Sequence, residues 1–118
     1  MKLEFMYLPT PDLDAALALY RDTLGFDELW REGDTTVGLA APGVDVALMI
    51  DAAAEPGMGP GPMFVTDDVT AFHARHDGAY ELTLPPFEIP GGFMSGFRDP
   101  GGNCVYVLDQ STEVVEGP

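Results

Sequence analysis

The sequence predicts an α+β fold of two tandem βαβββ modules, joined into a curved, cup-like mixed sheet with the helices on its convex side. Three observations carry this reading. The same order of strand and helix signals occurs twice, a Pro/Gly-rich stretch separates the two runs, and matching residues recur at a nearly constant spacing. The length of 118 residues suits one domain, and a hydrophobic content of 46% suffices for a packed core.

Leu3 to Leu8 reads as the first strand. Leu3, Phe5 and Tyr7 alternate onto one face, with Met6 and Leu8 on the other, so both faces expect cover. Thr10-Pro11-Asp12 is a helix entry: Thr10 or Asp12 can cap, Pro11 suits the first turn, and Asp12 and Asp14 complement the helix dipole. Leu13, Ala16, Leu17, Tyr20 and Leu24 follow at helical spacing, and Gly25 supplies the stop. Three strands fill Phe26 to Asp51, with turns near Glu32-Gly33-Asp34 and Pro42-Gly43. The first module thus covers about 2–51.

Residues 52–62, AAAEPGMGPGP, have linker chemistry, because Pro cannot donate to a ladder and Gly is entropically costly to order. The second module, about 63–109, repeats the first. Met63 to Thr66 is a strand, Asp67 or Asp68 caps a helix bearing Val69 and Phe72, and Gly78 ends it. Tyr80 to Leu84, Phe93 to Phe97 and Asn103 to Asp109 supply three more strands, and 110–118 is a polar, frayed tail. An offset of 56 pairs Thr10 with Thr66 and Asp12 with Asp68, while an offset of 58 pairs Pro42 with Pro100 and Asp51 with Asp109. One helix covers one face of each module's sheet, so the uncovered faces form a cleft.

Five Lys+Arg against twenty Asp+Glu give a formal net charge of −15. That field repels phosphate backbones and anionic lipid, which argues against nucleic-acid and membrane partners. It suits solubility, and it attracts cations. The single cysteine, Cys104, excludes an internal disulfide and fits a reducing compartment. With no long apolar run and no signal-peptide pattern at the N-terminus, the expectation is a cytoplasmic protein.

Two stretches carry a family resemblance. Asp12-Leu13-Asp14-Ala15-Ala16-Leu17 runs into Tyr20-Arg21-Asp22-Thr23-Leu24-Gly25-Phe26, and Phe97-Arg98-Asp99-Pro100-Gly101-Gly102-Asn103 forms a turn before the last strand. Over roughly residues 3–109 the layout resembles the vicinal oxygen chelate superfamily, which includes glyoxalases, bleomycin-resistance proteins, extradiol dioxygenases and fosfomycin-resistance enzymes. The resemblance implies a divalent metal held in the cup by His, Gln or Glu from the first and last strands of each module. At those positions this chain has Phe5 and Gly61, seven residues before Asp12 and Asp68, then Tyr106 and its repeat mate Leu48. Phe, Leu and Gly cannot ligate, and a lone phenol of pKa ~10 is a poor ligand. The expectation is no metal and no other cofactor. His73 and His76 fall on the helix, on the side that packs against the convex face, and read as core-edge histidines.

What remains in the cup is apolar and aromatic. Alternation groups Phe5 with Tyr7, Cys104 with Tyr106 and Leu108, and Val46 with Leu48 and Ile50; Met63 joins them. The candidate ligand-binding residues are Phe5, Tyr7, Leu48, Met63 and Tyr106, with Trp30 and Met94 as walls and Arg98 for an anionic group. Cys104 reads as a buried structural thiol with no His, Lys or Arg placed to activate it. The expected function is that of a metal-free, bleomycin-resistance-like protein enclosing a hydrophobic or aromatic small molecule, with a cationic one suited to the acidic surface. The resemblance also implies a homodimer. An alternative stays open: a superfamily enzyme (lyase, isomerase or dioxygenase) with atypical or no metal ligands.

Overall fold

A computed structural model describes residues 1–112; of the expected polar tail, 113–118 lie outside the described residues. The chain divides into two compact units, one of Glu4–Pro62 and one that joins Met1–Leu3 to the chain from Met63 onward.

The Glu4–Pro62 unit holds β1 (Lys2–Pro9) from Glu4 onward, with β2 (Glu28–Glu32), β3 (Thr36–Ala40) and β4 (Ala47–Asp51), in the spatial order β2-β3-β4-β1. The β2/β3 and β3/β4 pairs are antiparallel, whereas β1 and β4 run parallel with Phe5 opposite Ala47 and Tyr7 opposite Met49. Helix α1 (Leu13–Leu17) lies in the crossover that parallel pairing requires. Its cap is Asp12, whose Oδ1 accepts from the Ala15 N–H at 3.0 Å, while Thr10 Oγ1 accepts from the Asp12 N–H at 3.1 Å. Ala18–Thr23 then widens into a π-helical turn instead of the continuous helix expected to Leu24. The wider coil is held by Thr23 Oγ1 donating to the Ala18 carbonyl five residues back, at 2.9 Å, and it ends at Gly25 with φ of 78°. Leu13 and Leu17 bury themselves on Val37, Leu39 and Ile50, with Leu8, Ala16, Tyr20, Phe26 and Leu48 around them.

The second unit repeats the plan with β5 (Gly61–Val65) from Met63 onward, β6 (Leu82–Ile89), β7 (Gly92–Arg98) and β8 (Cys104–Leu108), ordered β5-β8-β7-β6. β5 begins at Gly61, inside the expected linker, but its ladder with β8 starts at Met63 opposite Tyr106, after the donor-less Pro62. β6 starts later and runs further than expected, and Tyr80 lies outside it. Its Pro85-Pro86 pair is tolerated on this outer strand by a register shift between Leu84 and Phe87. Asp68 caps α2 (Val69–Arg75), accepting from the Ala71 N–H at 2.9 Å. Val69 and Phe72 pack on Val107, flanked by Tyr80, Phe93 and Phe97. The expected α+β class, two βαβββ modules, is the observed one.

The repeat holds at a different spacing in its last strands. The Thr10 N–H bonds the Asp51 carbonyl and the Thr66 N–H bonds the Leu108 carbonyl, both at 2.9 Å. First strands are therefore offset by 56, but β4 matches β8 at 57, so that the mate of Tyr106 is Met49 and not Leu48. A slip of one residue turns a strand over. Leu48 and Ile50, expected beside Phe5 and Tyr7, instead face α1, where Leu48 lies opposite Met6 and Leu39. Val46 precedes β4 altogether.

Candidate functional site

Each sheet has one face covered by its helix and one face turned away from it, and the second kind carries most of the candidate residues. In the Glu4–Pro62 unit that face holds Phe5, Tyr7, Trp30, Met49 and Asp51. Trp30 comes from the outer strand β2 and lies across Gly38 of β3: a Cβ there would sit 2.6 Å from indole Cζ2 and closer still to Cε2 and Nε1. Phe5 meets the indole edge to face, with centroids 5.9 Å apart and planes at 87°. Tyr7 is buried, and its hydroxyl donates a short hydrogen bond to Asp51 Oδ2. Asp51 Oδ1 accepts from Thr36 Oγ1 at 3.1 Å and from the Ala53 N–H at 2.9 Å. These bonds hold a carboxylate on an aromatic face.

Gly38 is what lets the indole lie there. Replacing it with alanine is expected to lift Trp30 off the sheet, for a stability cost of about 1–3 kcal/mol. As Trp30 is the chain's one tryptophan, its fluorescence reads the change directly. A red-shifted, more quenchable emission is expected; an unchanged spectrum would contradict the placement.

In the second unit the corresponding face carries Met63, Met94, Tyr106 and Arg98. Met63, Met94 and Tyr106 are buried, with Met63 opposite Tyr106 and Met94 opposite Leu108. The Tyr106 ring crosses Gly96, where a Cβ would lie 3.2 Å from its Cδ1. Gly38 and Gly96 are cross-strand from the repeat mates Met49 and Tyr106, so both sheets lay an aromatic ring over a glycine at the same place. The sequence signal for this was the Gly38/Gly96 match at the same offset as Pro42/Pro100. Arg98, exposed at the end of β7, donates from Nη1 to the Gly102 carbonyl at 3.0 Å and to Cys104 Sγ at 3.4 Å. Cys104 is buried as expected, yet a guanidinium does stand beside it, contrary to the sequence reading.

Of the candidate residues, only Leu48 leaves these faces. With the corrected register the four positions where the fold family places metal ligands carry Phe5, Met49, Gly61 and Tyr106. A thioether and a phenol among two side chains without lone pairs do not fit a divalent oxygen- or nitrogen-ligated ion. Among the described residues no group of three or more His, Cys, Asp or Glu is placed to hold one.

The helix side of the second unit holds a polar cluster that periodicity alone did not reveal. His73 Nε2 bonds Ser95 Oγ at 2.5 Å, and its Nδ1 bonds the Tyr80 hydroxyl at 2.6 Å. Tyr80 stacks on Phe97 with centroids 4.0 Å apart, and Ser95 is fully buried. Burial, helped by the charge of a protonated His76, lowers the His73 pKa from its ordinary value, and burial raises that of Tyr80. His76 is exposed and bonds the Phe72 carbonyl through Nδ1 at 2.7 Å. Both histidines sit on the helix side, as the sequence suggested. Separate clefts of about 270 and 280 Å³ involve Leu8, Ala16, Tyr20 and Ile50 in one unit, and Tyr80, Phe97, Arg98 and Asp99 in the other.

Two βαβββ units with these faces define a class of protein known from many solved structures. The profile of the glyoxalase/bleomycin resistance protein/dioxygenase superfamily matches residues 2–107, and the chain belongs to that superfamily. The chain is similar to the structure described as NAD-dependent benzaldehyde dehydrogenase from Legionella pneumophila, at TM-score 0.74 and 15% identity over 89% of this chain and 96% of that one. A glyoxalase/bleomycin resistance protein/dioxygenase superfamily member from Vibrio splendidus gives 0.61 and 19% over 89% and 95%. Methylmalonyl-CoA epimerase from Streptomyces coelicolor gives 0.62 and 18% over 94% and 98%. At such identities the likeness shows the fold. No curated protein matches the sequence. No helix among the described residues is long and apolar enough to cross a membrane.

Proposed function

We propose that this chain binds an organic small molecule of hydrophobic or aromatic character without a metal, in the manner of the bleomycin-resistance branch of its superfamily. One observation carries the reading. At the strand positions where a metal-dependent relative carries donors, this chain has Phe5, Met49, Gly61 and Tyr106, with Tyr7 and Trp30 on the face of Phe5 and Met63 and Met94 on that of Tyr106. Such surfaces hold a ligand by apolar burial and ring contact, with one or two phenols setting its orientation. Arg98, already bonded to Gly102 and Cys104, is the residue proposed to take an anionic substituent. A homodimer in the cytoplasm completes the proposal: the outer strands β2 and β6 offer backbone groups for pairing, and a lone thiol suits a reducing compartment.

Native mass spectrometry of the purified protein tests these points together. The expected spectrum shows a two-chain species without stoichiometric metal. One Zn, Ni, Fe or Mn per chain would overturn the metal-free reading, and a one-chain mass at micromolar concentration would overturn the dimer.

A further inference from the structure

We infer that the helix-free face of the Glu4–Pro62 unit is an organic-cation site, with Asp51 as the anchor of the positive charge. This rests on the proposed small-molecule binding and names its ligand class: a flat, bicyclic-sized cation with a delocalised or quaternary nitrogen.

The argument is one of placement. Met49 stands opposite Gly38, over which Trp30 lies, and Asp51 follows two residues along the same strand on the same face. Two residues of strand span about 7 Å, the length of a fused pair of rings. A ligand whose body covers Met49 and the Trp30–Phe5 pair therefore brings its nitrogen to the carboxylate. Asp51 is kept in place from three directions, by the Tyr7 hydroxyl, the Thr36 hydroxyl and the Ala53 N–H. Each of these is a hydrogen-bond donor and none carries a positive charge, so the carboxylate is oriented but not neutralised. The ring faces add cation–π attraction, which is specific for positive charge. The net charge of −15 raises the local concentration of such a ligand and opposes an anionic one.

Calorimetric titration of the full chain with 1-methylquinolinium and the uncharged, nearly isosteric 1-methyl-2-quinolone tests this. The cation is expected to bind about tenfold more tightly. Asp51→Asn should erase that preference, whereas Asp34→Asn, which removes the same charge from the exposed β2–β3 turn, should preserve it. Equal binding of both probes to the unmodified chain overturns the cation inference and leaves the small-molecule reading standing, a comparison that holds even where Asp51→Asn fails to fold. Loss of preference in Asp34→Asn as large as in Asp51→Asn overturns it too. Absence of binding by either probe at millimolar concentration overturns both readings.

Discussion

Asp109→Ala is expected to destabilise the protein by about 3–5 kcal/mol, because it strands buried donors at about 1–3 kcal/mol each. Asp109 is 2% exposed. Its Oδ2 accepts from the Val69 N–H, at the first turn of α2, at 2.7 Å. Its Oδ1 accepts from the Phe93 N–H of β7 at 3.0 Å, and from the N–H and hydroxyl of Ser111 at 3.1 and 2.7 Å. One carboxylate thus ties a helix start, a strand and the chain beyond β8. Truncation leaves the Val69 and Phe93 N–H groups without partners in a site too packed for easy repair: a Cβ on the neighbouring Gly92 would already collide with the Asp109 backbone. A fall of roughly 12–20 °C in Tm should follow.

The pH dependence has a definite sign. Burial pushes the Asp109 pKa up, but the bonds from Val69, Ser111 and Phe93 together outweigh it and hold the pKa below its ordinary 3.8. A depressed native pKa means that the unfolded chain takes up the proton first on acidification. The contribution is therefore complete above 3.8 and drains away as pH falls through the lower native value. Urea melts between pH 7 and 2 should show this acid arm in the unmodified protein and a weaker one in Asp109→Ala. Equal stability of the two proteins at pH 7 would refute the assignment.

Asp51 and Asp109 also show how far the sequence could be read. The caps Asp12 and Asp68, the stops Gly25 and Gly78 and the strand alternation in β1 and β8 are local signals, and each gave its element. The sequence pairs Asp51 with Asp109 at an offset of 58, yet the two side chains do unrelated work. Asp51 turns to the aromatic face and Asp109 to the start of α2. Register between strands depends on how many residues the preceding turns consume, and neither composition nor periodicity counts them. That single missing residue moved Leu48 from the α1 side to the candidate site. The ring over Gly38 was out of reach for a related reason: it depends on which β3 residue faces Trp30 across a bulged pair, a long-range fact.

Ser95→Val is expected to cost about 1–3 kcal/mol, and adding His73→Leu to it should restore stability to within about 1 kcal/mol of the original. The repeat itself supplies the reasoning. His73 occupies the place of Leu17, and Ser95, opposite Val107, occupies that of Val37, opposite Ile50. The first unit fills this layer with the buried Leu17 and Val37, the second with a partly buried His73 hydrogen-bonded to the buried Ser95. Either single change strands a polar group: Ser95→Val leaves His73 Nε2 without its partner, and His73→Leu leaves the fully buried Ser95 hydroxyl without one. Changing both recreates the apolar pair, so the cycle should show a coupling energy of favourable sign. Tyr80, only partly buried, can turn its hydroxyl to water. Burial, and then the charge of His76, lowers the His73 pKa below 6.5, so this residue's contribution is intact above 6.5 and declines as pH drops through the lower native value. The double variant lacks the titrating group and should lose that part of the pH dependence. Chemical melts of the four proteins at pH 7.5 and 5 decide the matter: strictly additive losses in the double variant would mean that His73 and Ser95 are held by their surroundings and not by each other.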